Sequence, residues 1–194
     1  MRTLITAALL SAAAATPALA QDTSLPVFTG GHVEAITGVD RTRANGSGKT
    51  GVAYGVAGGY DFQTANGALF GIEGEFSDAS TRDCVRGVVL TTDRLCAKAK
   101  RDLYAGGRAG FVAGSTLIYG KVGYTNFRVG ASYEDGTTGT VNDFSNSRNL
   151  DGVRVGGGLE KNLGNFSVKA EYRYSNYEDG VSRHQGIVGA GIRF

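Results

Sequence analysis

The sequence predicts an all-β protein, an eight-stranded antiparallel up-and-down transmembrane β-barrel that follows a cleaved N-terminal signal peptide. Three observations predict it: an export signal, a period-two alternation of side chains along eight segments, and an alternation of short and long connections. Charged residues share one face of these segments with glycines, while bulky apolar residues occupy the other. That division is typical of a narrow polar interior and a lipid-facing wall.

Residues 1–20 have the features of a secretory signal peptide. A basic start is followed by an apolar run from Leu4 to Ala15, and Ala18 and Ala20 supply the small residues that a signal peptidase recognises. The run is too short for a membrane-spanning helix, which needs about 20 apolar residues. We therefore expect cleavage after Ala20 and a single barrel domain over residues 21–194.

The composition disfavours the other common classes of protein. Gly accounts for 31 of the 194 residues and Pro for only 2, which argues against a helical protein and against a disordered tail. The net charge is +2 and basic residues are scattered among acidic ones, so no nucleic-acid partner is expected. Because no apolar run after the signal peptide approaches 20 residues, a membrane-spanning form must be a closed barrel that pairs all its backbone groups.

The clearest alternation runs from Gly51 to Phe62. Successive side chains of a strand point to opposite faces, so this segment has one bulky face and one small face. The bulky face consists of Val52, Tyr54, Val56, Gly58, Tyr60 and Phe62. Similar alternation recurs within residues 28–39, 70–76, 102–111, 118–124, 153–160, 166–174 and 188–194. These eight segments can supply the 9–11 tilted residues of spanning strands.

The charged residues indicate which face is the interior. A soluble barrel would bury its large apolar face, whereas here the charges share the cramped face with Gly, Ala and Ser. Since a buried charge needs a partner, we expect ion pairs across a narrow lumen. This predicted lumen charge network consists of Glu73, Glu75, Arg108, Lys121, Arg154, Glu160, Lys169, Glu171 and Arg173. It either plugs the barrel or forms a gate that passes small ions, because eight strands leave no room for a wide pore.

Short and long connections alternate along the chain. The short ones span residues 63–67, 113–115 and 161–165, and the long polar ones span residues 41–49, 79–97, 131–149 and 178–183. Such alternation is typical of a barrel with short periplasmic turns and longer extracellular connections. It predicts that both termini lie at the periplasmic rim.

The chain resembles the small outer-membrane β-barrel proteins of proteobacteria, including opacity-type and OmpA-like barrels. The residues that carry the resemblance are the segments Arg101–Gly110 and Leu117–Tyr124 and the closing Gly191–Phe194. The resemblance implies a bacterial outer-membrane location, surrounded by lipid and lipopolysaccharide, and assembly by the barrel assembly machinery. The family's C-terminal assembly signal, a terminal Phe after alternating apolar residues, matches Val188, Ala190, Ile192 and Phe194.

The two cysteines, Cys84 and Cys96, both lie in the second long connection. Export to an oxidising compartment predicts a disulfide between them. No nearby histidine or third cysteine completes a metal-binding set, so we expect no metal site there.

The two histidines, His32 and His184, raise the question of catalysis. A hydrolase would need a serine and an orienting acid near one of them, and Ser182 and Glu178 are close to His184 in sequence. Their spacing matches no diagnostic motif. We therefore predict a non-enzyme with no catalytic, cofactor or metal site.

The predicted function is that of a structural or surface barrel whose extracellular connections serve envelope integrity or recognition. Members of the resembling family act as envelope proteins, adhesins or surface antigens, so the fold alone does not fix the function. Partners would be lipopolysaccharide or a host or envelope protein, with Tyr133, Glu134, Asp135 and Phe144 as candidate contact residues. The alternatives are a narrow porin-like channel for small ions and solutes, a soluble ligand-binding barrel and a membrane lipid hydrolase.

Overall fold

The described residues form nine antiparallel strands and one short 3-10 turn. The computed structural model describes residues 28–44, 47–80, 82–86, 94–134 and 144–194; the predicted signal peptide and Asp135 lie outside these residues. The strands are β1 (Gly30–Ala44), β2 (Ser47–Gln63), β3 (Ala68–Ala79), β4 (Arg82–Arg86), β5 (Arg94–Ala113), β6 (Thr116–Glu134), β7 (Phe144–Asn162), β8 (Phe166–Tyr177) and β9 (Ser182–Arg193), with the 3-10 turn at Glu178–Gly180 before β9.

Eight of the nine strands close into a barrel. β1 pairs with β9 and β3 pairs with β5, while all other neighbouring strands of the barrel are consecutive in sequence. The short β4 continues the line of β3 and pairs with the upper part of β5. The predicted eight-stranded antiparallel barrel is confirmed, and the ninth strand is an extension of one barrel strand.

The wall of the barrel has the sidedness that the alternation predicts. Val56 and Ile72 are 54% and 70% exposed on the outer face, whereas the inward Glu73 is 3% exposed. The aromatic residues of the outer face lie mostly toward the two ends of the strands, where the wall of a membrane barrel crosses the two interfaces. This arrangement excludes the soluble-barrel alternative, which needs the apolar face inside. No helix in the described part of the chain is long and apolar enough to cross a membrane.

The strands extend further than the sequence predicts. The connection expected at residues 41–49 is mostly strand, because the β1–β2 register continues to Ala44 opposite Ser47. Likewise β6 continues to Glu134 and β7 begins at Phe144 within the connection expected at residues 131–149. Above the membrane both faces of a strand meet water, so polar residues form strand there without the apolar alternation that reveals it lower down.

The extensions make one side of the barrel much taller than the other. β5, β6 and β7 contain 20, 19 and 19 residues, whereas β3, β8 and β9 contain 12 each. β8 pairs with β7 from Gly152 downward, opposite Tyr177, so residues 144–151 of β7 rise above it. Eight strand residues span about 25 Å. A sheet formed by β4 and the upper parts of β5, β6 and β7 therefore projects from the extracellular rim.

Candidate functional site in the barrel lumen

The lumen is lined by ionisable side chains that come from inward positions on every barrel strand. All nine members of the predicted lumen charge network lie inside, with exposures between 0% and 5%. Small residues at neighbouring inward positions, such as Ala57 and Gly106, leave room for the long side chains to cross the barrel. The alternation of the strands therefore places the charges in one enclosed column.

The periplasmic part of this column centres on Arg108 of β5. Its guanidinium binds Asp61 with Nε–Oδ1 2.8 Å and Glu160 with Nη1–Oε2 3.1 Å. Arg193 of β9 contacts the same two carboxylates, at 2.5 Å from Asp61 Oδ2 and 2.6 Å from Glu160 Oε1. Two arginines and two carboxylates from β2, β5, β7 and β9 thus form a closed ring of ion pairs near the periplasmic end.

The middle of the column contains two lysines that share carboxylates. Lys121 Nζ lies 2.7 Å from Glu73 Oε1 and 2.8 Å from Glu171 Oε1. Lys169 Nζ binds Glu34 and lies 3.7 Å from Glu73 Oε2 and 3.8 Å from Glu171 Oε2. Each ammonium group therefore contacts at least two carboxylates, as expected for charges removed from water.

The extracellular part is built around Asp102 and Glu75. Asp102 accepts hydrogen bonds from Arg154 and, at 2.6 Å, from Arg183. Glu75 pairs with Arg154 at 3.3 Å and also with Arg173. The shared Arg154 links the two carboxylates, so this part of the network spans β3, β5, β7, β8 and β9.

Sequence reasoning missed several members of this column. Asp61 and Asp102 lie on the inward faces of their strands, and each binds two arginines. The predicted network does not include them. Arg183 was assigned to the connection at residues 178–183, whereas it lies in β9 and pairs with Asp40 at 2.9 Å. Extending the alternation of β9 back from Gln185 would have found Arg183.

Apolar clusters lie at both ends of the charged column. At the periplasmic end Phe28, which precedes β1, packs with Leu69, Leu117 and Tyr119. At the extracellular end the cluster consists of Ala79, Phe127, Leu150 and Tyr177. The guanidinium groups of Arg193 and Arg183 lie 4.9 Å and 4.4 Å from the ring centroids of Phe28 and Phe127, so cation–π contacts join the charged column to both apolar layers.

Comparisons with known proteins agree with this architecture. The outer membrane protein beta-barrel domain family matches residues 5–194. The chain belongs to that family. Its location is therefore the bacterial outer membrane, and the aromatic outer wall faces lipid. A search of curated proteins found no match.

Two solved structures illustrate the shared fold. Ail, the attachment invasion locus protein of Yersinia pestis, crystallised with the heparin analogue sucrose octasulfate, is 24% identical with a TM-score of 0.55 over 86% of this chain and 99% of its own. Neisserial surface protein A is 16% identical with a TM-score of 0.54 over 86% of this chain and 98% of its own. At these identities the likeness concerns the fold.

The cysteines predicted to pair are joined in the structure. Cys84 of β4 lies directly opposite Cys96 of β5 in the antiparallel register, and their sulfur atoms form a disulfide. The bond links the short β4 to the taller β5 above the barrel. It therefore lies in the projecting sheet and not in the membrane-spanning wall.

The histidine considered for catalysis lies on the outer wall. His184 Nδ1 is 2.7 Å from Tyr172 Oη, and its ring centroid lies 4.9 Å from that of Tyr174. Ser182 lies on the same face of β9, since it is two residues away. The geometry therefore includes His184 in an interfacial aromatic cluster. The other histidine, His32, points into the lumen and is 3% exposed.

Proposed function

We propose that the protein is a non-catalytic structural and surface barrel whose lumen is sealed to ions and solutes. The observation that supports this most directly is the sequence of layers along the barrel axis. An apolar cluster around Phe28 is followed by the charged column and then by a second apolar cluster around Phe127. A permeating ion would have to displace both apolar clusters and break ion pairs that are shared among several strands.

The charged column favours a plug over a gate because its pairs are multiply connected. Removing Arg154 from its place would leave Asp102 and Glu75 short of a partner at once. A buried charge without its partner costs several kcal/mol. An open state would therefore need several such exchanges together, and its population would be small.

Planar-bilayer recording tests the sealed state directly. We expect the purified full chain, inserted into a bilayer, to give no discrete conductance steps at voltages that leave the membrane intact. The matched comparison is Phe28→Ala combined with Phe127→Ala, which removes one aromatic ring from each apolar cluster and leaves every charge in place. Regular steps from the unaltered protein would overturn the proposal in favour of the narrow-channel alternative, and heat-modifiable gel mobility checks that each barrel is folded.

The surface role rests on the projecting sheet. β6 and β7 pair from Tyr133 opposite Phe144, so two of the candidate contact residues lie at the top of this hairpin. We propose that the hairpin and its connection meet lipopolysaccharide or a host or envelope protein. Replacing residues 135–143 with a Gly-Ser linker should leave the barrel folded while reducing surface binding or envelope integrity. An unchanged phenotype would count against the surface role.

The C-terminal residues support the proposal that the barrel assembly machinery inserts this chain. The outer face of β9 contains Val188, Ile192 and Phe194, which are 56%, 49% and 72% exposed. Before β9 pairs with β1, these apolar side chains form one row that the assembly machinery can bind. Deleting Phe194 should lower the amount of folded protein in the outer membrane. Normal insertion of the shortened chain would contradict the assignment.

A further inference from the structure

His32 is a buried lumen side chain that has no part in the ion-pair network described above. It lies on β1 and is 3% exposed, and neither ring nitrogen makes a hydrogen bond within the described part of the chain. Nδ1 is 3.4 Å from Asp61 Oδ2 and Nε2 is 4.0 Å from Glu73 Oε2. A buried polar group normally has a hydrogen-bond partner, so this imidazole is a candidate ligand for a bound ion.

The strand register brings His32 to carboxylates of its own strand and of β3. Gly59 of β2 lies between His32 and Glu73, because it is the register partner of both. A Cβ atom at residue 59 would clash with the backbone oxygen of Ile72 and would lie 2.8 Å from His32 Cε1, so the glycine leaves room both for the neighbouring strand and for the ring over β2. Glu34 follows two residues later on β1 and points to the same side.

We propose that His32, Glu34 and Glu73 form a binding site for a divalent transition-metal ion of the Zn²⁺ type. One ligand atom from each residue lies within 4.8 Å of the other two. One imidazole and two carboxylates are a donor set that Zn²⁺ accepts, with a water in the fourth position. Tetrahedral zinc with bonds of about 2.1 Å separates its ligand atoms by about 3.4 Å, so these separations need to shorten by at most about 1.4 Å.

The charge balance of the lumen favours a cation at this place. In the middle of the column the three carboxylates Glu34, Glu73 and Glu171 meet two lysines, Lys121 and Lys169. Arg108 and Arg173 also contact Glu73 and Glu171, each at 3.5 Å, but their shorter ion pairs are with Asp61 and Glu75. The three carboxylates exceed the two lysines by one, and this excess negative charge favours a bound cation.

The lysines leave ligand atoms for a metal. Lys121 binds Glu73 Oε1, while Glu73 Oε2 faces the histidine and accepts a long hydrogen bond of 3.5 Å from Arg108 Nη1. Lys169 takes Glu34 Oε1, so the second oxygen of that carboxylate remains for the ion. Lys169 Nζ also lies 3.7 Å from Glu73 Oε2, so we expect metal binding to shift this ammonium toward Glu171.

Metal binding to the purified full chain tests the site, with Zn²⁺ alone as the probe and Co²⁺ as its spectroscopic substitute. Because both ends of the lumen are closed, the ion is supplied while the barrel refolds from denaturant. We expect one bound Zn²⁺ per chain, a raised thermal unfolding midpoint and, with Co²⁺, visible d–d absorption of low-symmetry coordination. His32→Ala should remove all three, whereas His184→Ala, which alters the only other histidine, should keep them.

Two conservative variants guard against a simple folding failure. Glu34→Gln preserves size and should weaken binding by more than the roughly 10–100-fold that loss of an outer-shell partner costs. Glu73→Gln likewise preserves size while it removes the charge of a ligand, so it should also weaken binding. The proposal is overturned if the unaltered barrel retains no Zn²⁺, or if His32→Ala and Glu34→Gln bind it as the unaltered protein does.

Discussion

At the scale of single residues, the interior is organised by the need to partner every buried charge. Arg154 lies fully inside and meets Asp102, Glu75 at 3.3 Å and Ser175 at 2.8 Å. A guanidinium has five N–H donors in a fixed fork and stays charged, so one arginine can join several strands. The glycines and alanines beside these side chains provide the necessary space, which explains why one face of the strands is so small.

The contribution of Arg154 to the stability of the barrel can be measured. Arg154→Ala should destabilise the barrel by about 3–5 kcal/mol, because it leaves Asp102 and Glu75 buried with fewer partners. Denaturant unfolding of the detergent-solubilised protein measures the change. Arg128→Ala is the matched control, since Arg128 is exposed and its bonds go to Ser147; it should cost less than about 1 kcal/mol. Equal effects of the two changes would show that the lumen pairs contribute little.

At the scale of elements, strand length divides the molecule into a membrane part and a projecting part. The upper segments of β5, β6 and β7 continue well above the last pairing of β8 with β7 at Gly152. The five-residue β4 forms the edge of this sheet and pairs with β5 alone among the described strands, so it needs additional constraint. The disulfide between Cys84 and Cys96 supplies it, by linking β4 to β5 at the edge of this sheet.

The disulfide should therefore act locally. Replacing both cysteines with serine removes a covalent closure of sequence separation 12, which in the chain-entropy model stabilises by about 3 kcal/mol. We expect faster amide exchange and proteolysis in residues 82–86 and 94–98, with unchanged gel mobility of the unheated barrel. Loss of the folded barrel itself would show that β4 supports the whole wall and contradict the division into two parts.

At the scale of the whole molecule, the solvent on each side decides the arrangement. Lipid offers no hydrogen-bond partner, so every backbone group of the wall pairs with a neighbouring strand and the sheet closes on itself. The outer face then carries valines, isoleucines and aromatic residues, while the carboxylates, lysines and arginines of the charged column turn inward. The match of residues 5–194 to the outer-membrane β-barrel family agrees with this sidedness.

A charge introduced on the outer wall tests this sidedness. Val56 of β2 is 54% exposed and pairs with Ala35 and Phe76 near the middle of the wall. Val56→Arg should cost about 2–4 kcal/mol in a bilayer, the penalty for arginine at mid-depth. Val56→Leu, which keeps the position apolar, should have little effect. Unfolding in lipid vesicles and the yield of folded protein in the outer membrane measure the difference, and equal stability of the two variants would refute a lipid-facing position.

The alternation of side chains in the sequence is enough to predict the strands, the closed barrel and the face of each strand that lies inside. These properties are local, because alternation along a strand reads directly from neighbouring residues such as Val52 to Phe62. The nine predicted charges lie inside for the same reason. Periodicity does not predict the strand ends above the membrane, because both faces of a strand meet water there and the alternation of apolar and polar residues is lost. Arg183 lies in such a strand end.

The pairing of the lumen charges depends on the tertiary structure. Arg154 and Glu75 are separated by 79 positions and Arg193 and Asp61 by 132, and they meet because the stagger of a closed barrel sets opposite strands at one height. The approach of His32 to Glu73 over Gly59 likewise depends on the registers of three strands. Periodicity specifies the face on which a side chain lies, but the partner across the lumen depends on how the sheet closes.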